Sequence, residues 1–260
     1  MDSRTRKAKI KHEGKIFETK NDGLVKVLSW NNSSDIDVVF LNTGNRSKVK
    51  YGNLYQGTLK DHSIPSVYGV GIIGETVRGA VSERKYLYGV WVKMLERCYC
   101  ESTQCKNPTY IGCTVSENFK NFPIFYEWCV NQVGFNQNDD NMRKFVLDKD
   151  ILIKGNKIYS EDTCCFVPRE INNLLLTSKK IRGCHLIGVY KAKHSGKYRA
   201  EVRRNGKGHC LGSFNTELEA FLAYKEAKEA YIKEVANKWR CLIDNRVYEA
   251  LIGYEVAECD

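Results

Sequence analysis

Hydrophobic spacing changes period along the chain, and the changes divide it into modules. From Ile10 to about Gly74 apolar and polar residues alternate in short runs: Leu24-Val25-Lys26-Val27-Leu28, then Ile36, Val38 and Phe40, then Val49 and Tyr51 beyond an Asn42-Thr43-Gly44-Asn45 turn. A period of two puts successive side chains on opposite faces, so residues 1–75 are read as a small antiparallel β module closed by glycine-rich turns. Between Arg84 and Tyr99 the period lengthens. Leu87, Val90, Trp91, Met94, Leu95 and Cys98 recur at helical spacing, and Phe119, Phe122, Phe125, Tyr126 and Cys129 do the same over Ser116 to Val130. Pro108 and Gly112 separate these two helices, and Asn131 to Lys144 reads as a polar loop. A strand over Phe145 to Ile153, a Gly155-Asn156 turn, an extended run at Cys164 to Val167 and a helix from Pro168 to Leu176 then make a ββα order. This middle module covers residues 84–178.

The third module, residues 184–240, predicts strands at Gly188–Lys191, Lys197–Arg203 and His209–Phe214. Ser195-Gly196 and Asn205-Gly206 supply the turns, and Asn-Gly between alternating runs is a strong hairpin signal. Thr216 with Glu219 three residues on is a capping box. The helix that it opens carries Ala220, Ala223, Tyr224, Ala227, Tyr231 and Val235 on one stripe. The fold class is therefore α+β, ending in a three-stranded antiparallel sheet packed on one helix. A module of about 55 residues is marginal alone and calls for a packed neighbour. Residues 241–260 are read as a tail.

Composition adds a charge argument. The 260 residues carry 41 Lys+Arg against 31 Asp+Glu, a net charge of +10. Its placement says more than its size. Lys179 to Cys210 holds ten basic residues and one acid, Glu201, whereas residues 211–260 are net acidic. A cation excess confined to one stretch is the footprint of a nucleic-acid partner, with a solvated basic surface as the plainer alternative. No run reaches the ~18 apolar residues of a membrane span, and the basic N-terminus lacks the apolar stretch of a secretory signal. A cytoplasmic protein with no membrane partner is expected, its 11 cysteines reduced. No Cys-x-x-Cys pair occurs, so zinc is not expected.

Gly188-Val189-Tyr190, Lys197-Tyr198-Arg199-Ala200-Glu201-Val202-Arg203, Leu211-Gly212-Ser213-Phe214 and Thr216-x-x-Glu219-Ala220 occur in an order that resembles the ethylene-response (Apetala-type) DNA-binding domain. The resemblance spans residues 186–237 and implies double-stranded DNA as partner. The candidate DNA-binding residues are Lys193, Lys197, Arg199, Glu201, Arg203, Arg204 and Lys207. Arg199, Glu201 and Arg203 alternate on one strand face. There an Arg can hydrogen-bond guanine O6 and N7, and a Glu can accept from cytosine N4. In that family an aromatic on the third strand often touches DNA; Cys210, flanked by His209, stands there here.

Tyr86-x(4)-Trp91-x(2)-Met94-Leu95-x-Arg97-Cys98-Tyr99, Pro108-Thr109-Tyr110, Leu147-Asp148-Lys149-Asp150, Cys164-Cys165-Phe166-Val167-Pro168 and Asn172-Asn173 resemble phage proteins related to HNH homing endonucleases. That resemblance implies a His-Me-finger ββα unit holding one divalent metal, with a histidine base. No histidine lies between His62 and His185. What stands in its place is Asp148 and Asp150, as catalytic and metal ligands with Asn173, a hard oxygen set suited to Mg²⁺. The same two aspartates equally fit pairing with nearby Lys or Arg, or capping the Gly155-Asn156 turn.

The N-terminal module resembles small Src-homology-like or Tudor-like β-barrels through Asp37–Phe40, Asn42-Thr43-Gly44 and the Pro65–Gly71 tail. It offers either a further nucleic-acid contact through Arg4, Arg6, Lys7, Lys9 and Lys11 or a docking site for a host or phage protein. Two functions follow from these resemblances. One is a phage-type, DNA-binding, Mg²⁺-dependent endonuclease or nickase. The other is a catalytically inactive DNA-binding regulator or anti-defence protein that keeps the HNH-like fold as a scaffold.

Overall fold

A computed structural model describes residues 3–75, 77–176, 184–193 and 195–258. Lys179, Lys180 and Arg182, which contribute to the basic stretch, lie outside the described residues. The chain is α+β with several antiparallel sheets and forms two compact units, residues 1–100 with 120–124, and residues 101–119 with 125–260. Among the described residues no helix is long and apolar enough to cross a membrane.

Unit 1 opens with helix α1 (Ser3–His12), followed by strands β1 (Ile16–Glu18), β2 (Leu24–Asn32), β3 (Asp35–Phe40) and β4 (Arg46–Val49). The strands form an antiparallel meander in the order β1-β2-β3-β4, an open sheet with β1 and β4 as its edges. This departs from the closed barrel that the resemblance implies. The alternation read from the sequence holds over Leu24–Leu28 and Ile36–Phe40, and a bulge between Val27 and Ser29 returns Trp30 to the buried face. Val25, Val27 and Trp30 of β2 and Ile36, Val38 and Phe40 of β3 form the core with Leu54 and Leu59, while the intervening residues face outward. The sheet is covered in part by α1, whose His12 ring stacks on Trp30 at 4.8 Å. Spacing alone did not predict this helix, since its residues are almost all polar.

After a short helix, α2 (Tyr51–Tyr55), comes α3 (Val81–Tyr99). It buries Leu87, Trp91, Met94, Leu95 and Cys98 of the stripe read from the sequence, with Val90 only half-buried at its margin. A Cβ on Gly71 would stand 2.5 Å from Leu95 and 2.9 Å from Trp91, so only glycine lets the backbone pass there.

Unit 2 holds α4 (Glu101–Lys106), a 3₁₀ turn (Pro108–Tyr110), β5 (Thr114–Val115), α5 (Glu117–Lys120) and α6 (Phe122–Val130) apart from the residues assigned to unit 1. The one helix expected over Ser116 to Val130 is thus two. Pro123 has no N–H to bond back into α5, and the helical ladder breaks at Asn121. Strand β6 (Val146–Asp148) pairs antiparallel with β8 (Cys165–Val167), Asp148 facing Cys165, and β7 (Ile158–Tyr159) runs parallel to β5. The strand expected to reach Ile153 ends at Asp148. Helix α7 (Arg169–Leu174) follows β8, so the strand, strand, helix order is present with a short strand β7 between.

The remainder of unit 2 is the antiparallel sheet of β9 (Val189–Lys191), β10 (Tyr198–Arg204) and β11 (Lys207–Phe214), in the order β11-β10-β9, and helix α8 (Glu217–Trp239). Both halves of the predicted capping box form: Glu219 N–H donates to Thr216 Oγ1, and Thr216 N–H donates to Glu219 Oε2. One face of α8 packs Ala220, Phe221 and Tyr224 on Val189, Ala200 and Val202. The sequence stripe missed a second face of Ile232, Ala236 and Trp239. Trp239 meets Phe145 edge-on at 5.7 Å and donates Nε1–H to Glu170 of α7 at 2.7 Å. Lys238 joins the same Glu170 at 2.7 Å and Asp140 at 2.6 Å. The neighbour that a module of this size needs is therefore the middle module. Residues read as a tail include a helix, α9 (Asn245–Ile252), capped by Asp244 and burying Val247 and Leu251. Val256 then closes the core beneath the sheet.

Candidate nucleic-acid interface

Strand β10 sorts its side chains by alternation. Ala200 and Val202 are buried against α8, Arg199 and Arg203 are exposed, and Glu201 is half-buried on their face. Asn205 and Gly206 make the two-residue hairpin with φ of 50° and 78°, the left-handed pair that matches strand twist. The tip is fixed from below, because Tyr231 Oη of α8 accepts from Asn205 N–H at 3.2 Å and bonds Asn205 Oδ1 at 3.1 Å. Ala200 pairs with Gly212 but Glu201 with Cys210, so Leu211 is an extra residue in β11, a bulge that sharpens the local twist. The exposed face is thus a short ribbon, bulged at Leu211, with its tip held by Tyr231.

Of the residues that the sequence nominated, the structure gathers most. Arg199, Glu201 and Arg203 share the outer face, Lys193 and Lys197 are exposed at the β9–β10 turn, and Lys207 is exposed at the hairpin. Among the described residues none of these five cations makes a side-chain hydrogen bond or ion pair. Glu201 lies flat across β11, and a Cβ on Gly208 would collide with its Oε1. Cys210 is exposed directly opposite Glu201, on the same face.

Arg204 does not join them. Its guanidinium lies 5.3 Å from the Tyr231 ring centroid, bonds Ala227 O at 3.4 Å and pairs with Glu234 at 3.7 Å, all on the helix side. A residue that the site choice missed is Tyr190, 40% exposed and directly opposite Arg199. Its signal was in the sequence, since Val189 is buried and the next residue on a strand must face out.

Compared with protein-family models, curated proteins and solved structures, the chain gives no match.

The aspartate pair sits differently from its expectation. Asp148 ends β6 and Asp150 lies in the following bend, so the two do not share a strand face. Asp148 Oδ1 accepts from the backbone N–H of Asp150 at 2.7 Å and of Ile151 at 2.9 Å, holding the turn out of the strand. Burial, with Asp150 adding to it, raises the Asp148 carboxyl above the ordinary range against the pull of those two bonds. Lys149 is buried, and its ammonium bonds Asp150 Oδ1 at 2.5 Å and Asn156 O at 2.7 Å. Asn156 in turn donates Nδ2–H to Lys149 O and Ile158 O, each at 2.7 Å. Asn173 lines a cavity of about 640 Å³ with Glu201, Arg203 and Tyr224; neither aspartate is among its lining residues.

This set does not fit a Mg²⁺ site. An ammonium already holds Asp150, one Asp148 oxygen carries two backbone donors, and the third nominated ligand faces another cavity. Nearby Cys129 and Cys164 are buried core thiols, and burial pushes Cys164 up to about 12.

Proposed function

We propose that this chain is a double-stranded-DNA-binding protein. Its sheet β9–β11 reads the duplex through Arg199, Glu201 and Arg203, with Lys193, Lys197 and Lys207 on the phosphates. The observation that carries the reading is a set of five cations, unpaired among the described residues, around one ribbon whose opposite face is buried against α8. A ribbon of this width fits the major groove, where Arg and Glu distinguish G and C. The resemblance to the Apetala-type domain supports the same mode.

The middle module acts as a scaffold. Its aspartates serve a turn, and α7 anchors α8 through Glu170. The phage-type nuclease remains a second reading because β6, β8 and α7 keep the ββα order.

The test is selection from a pool of random duplexes, followed by anisotropy titrations over a range of salt. An enriched site, with the logarithm of affinity falling by about 0.9 per phosphate contact against log salt, is expected. No enrichment together with a flat salt response would sink the proposal. Supercoiled plasmid incubated with Mg²⁺ or Mn²⁺ should stay closed; nicking lost in Asp148→Ala/Asp150→Ala would restore the nuclease.

A further inference from the structure

Helix α1, SRTRKAKIKH, contains five Lys or Arg and no acid. Its inward contacts include Ala8, which packs on the β-sheet core, and the His12 ring on Trp30. Arg4, Arg6, Lys7 and Lys11 are exposed and make no ion pair among the described residues, while Lys9 reaches Glu13 at 3.7 Å.

The helix is electrostatically at odds with itself. Arg4 with Lys7 and Arg6 with Lys9 stand three apart, and Lys7 with Lys11 four apart, spacings at which like charges repel. Arg4 and Arg6 also stand in the first turn, where the helix dipole disfavours cations. The Lys9–Glu13 pair and the placing of Lys9 and Lys11 in the last turn offset part of this, but Arg4, Arg6 and Lys7 have no compensating ion pair among the described residues. Local choices that oppose the element they build are expected where a ligand supplies the compensation.

We infer that α1 is a second contact for the nucleic-acid backbone, its four free cations neutralising phosphates. From Arg4 to Lys11 the helix rises about 10 Å. Over that length a duplex presents about six phosphate charges, enough for all four side chains. A lipid surface fits less well. Interfacial helices bind through buried apolar area, and beyond the inward Ala8 the only apolar side chain of α1 is Ile10, 79% exposed. This inference rests on the DNA-binding reading but uses different residues, so the two fail separately.

The experiment compares the parent with a helix variant, Arg4→Gln/Arg6→Gln/Lys7→Gln/Lys11→Gln, and a sheet variant, Arg199→Ala/Arg203→Ala, in full-length protein on one duplex. Glutamine keeps helix propensity and removes the repulsion, so thermal stability should hold or rise. The slope of log affinity against log salt should shrink by about 3–4 in the helix variant. A charge-conserving variant, Arg4→Lys/Arg6→Lys/Lys7→Arg/Lys11→Arg, should keep the parental slope. If the quadruple variant does not fold, Arg6→Gln/Lys7→Gln should still lower the slope by about 2. An unchanged slope beside a weakened sheet variant overturns this inference and leaves the sheet in place. A lowered slope beside an unaffected sheet variant does the reverse. Loss of binding to phosphatidylserine vesicles with an unchanged DNA slope also overturns it and makes the helix a membrane contact.

Discussion

Two regions of unit 2 carry charged residues on short strands and use them in opposite ways. Around Asp148 the charges are occupied within the fold, Asp148 holding two backbone N–H groups and Lys149 holding Asp150 and Asn156 O. On the β9–β11 sheet the charges are left unpaired, five cations and one carboxylate with no partner among the described residues. A buried Lys without a partner is costly, so the turn at 148–156 closes on itself. Exposed Arg side chains on a ribbon cost little and remain available. Charge type therefore says less about a site than whether the fold has already used the charge.

The comparison is broken most directly by exchanging which region is altered. Arg199→Ala/Arg203→Ala should cost ~2–6 kcal/mol of duplex binding if each Arg contributes the ~1–3 of a bidentate base contact. Asp148→Ala/Asp150→Ala should leave affinity unchanged, since their bonds are spent within the turn, whatever the pair costs in stability. Anisotropy at one fixed salt concentration measures both, and equal losses would erase the distinction.

Next in size is Lys149→Met, which keeps the apolar stem but withdraws the ammonium from Asp150 and from Asn156 O. Asp150 is exposed enough for water to replace the ammonium, so leaving the Asn156 carbonyl without its donor should set the loss, about 1 kcal/mol of unfolding stability, without touching DNA affinity. Urea denaturation at neutral pH reads it, and a stable variant with weakened DNA binding would place Lys149 at the interface instead. Arg204→Ala sharpens the comparison inside the sheet. Losing its stack on Tyr231 should destabilise by ~0.5–1 kcal/mol, with a smaller effect on affinity than either Arg199 or Arg203. Affinity loss as large as theirs would return Arg204 to the reading face.

Much of the sheet was legible because its signals are local. Alternation fixed the faces of β10, Asn205-Gly206 fixed the hairpin, and Thr216 with Glu219 fixed the start of α8. What escaped did so for different reasons. Arg204 sits one step out of phase with Arg203, and its turn toward the helix was implied by alternation but masked by the run of cations. Asp148 and Asp150 satisfy a two-residue spacing, yet the strand stops at Asp148, and nothing short of the pairing with β8 shows where it stops. Helix α1 has no apolar stripe to announce it, whereas α9 does carry local signals, Asp244 as its cap and Val247, Leu251 and Ile252 at helical spacing, which the reading of a tail passed over.

The smallest expected effect concerns the proton on Asp148 and decides between its two roles. Its carboxyl is raised in the fold by burial, so over the window above the ordinary carboxylate value the folded state holds more protons than the unfolded one. Stability contributed by this group is then complete below the unfolded value and falls as pH rises through the folded one. Asp148→Asn keeps an oxygen to accept from Asp150 and Ile151 N–H but has no charge to desolvate. Relative to the parent, the variant should therefore gain stability as pH rises from the acid side to neutrality, as followed by urea midpoints across that range. A ligand carboxylate loses its purpose on the same substitution, whereas a turn cap does not. Stability that drops on Asp148→Asn at neutral pH, together with loss of metal-dependent nicking, would show that the charge itself is what this position is for.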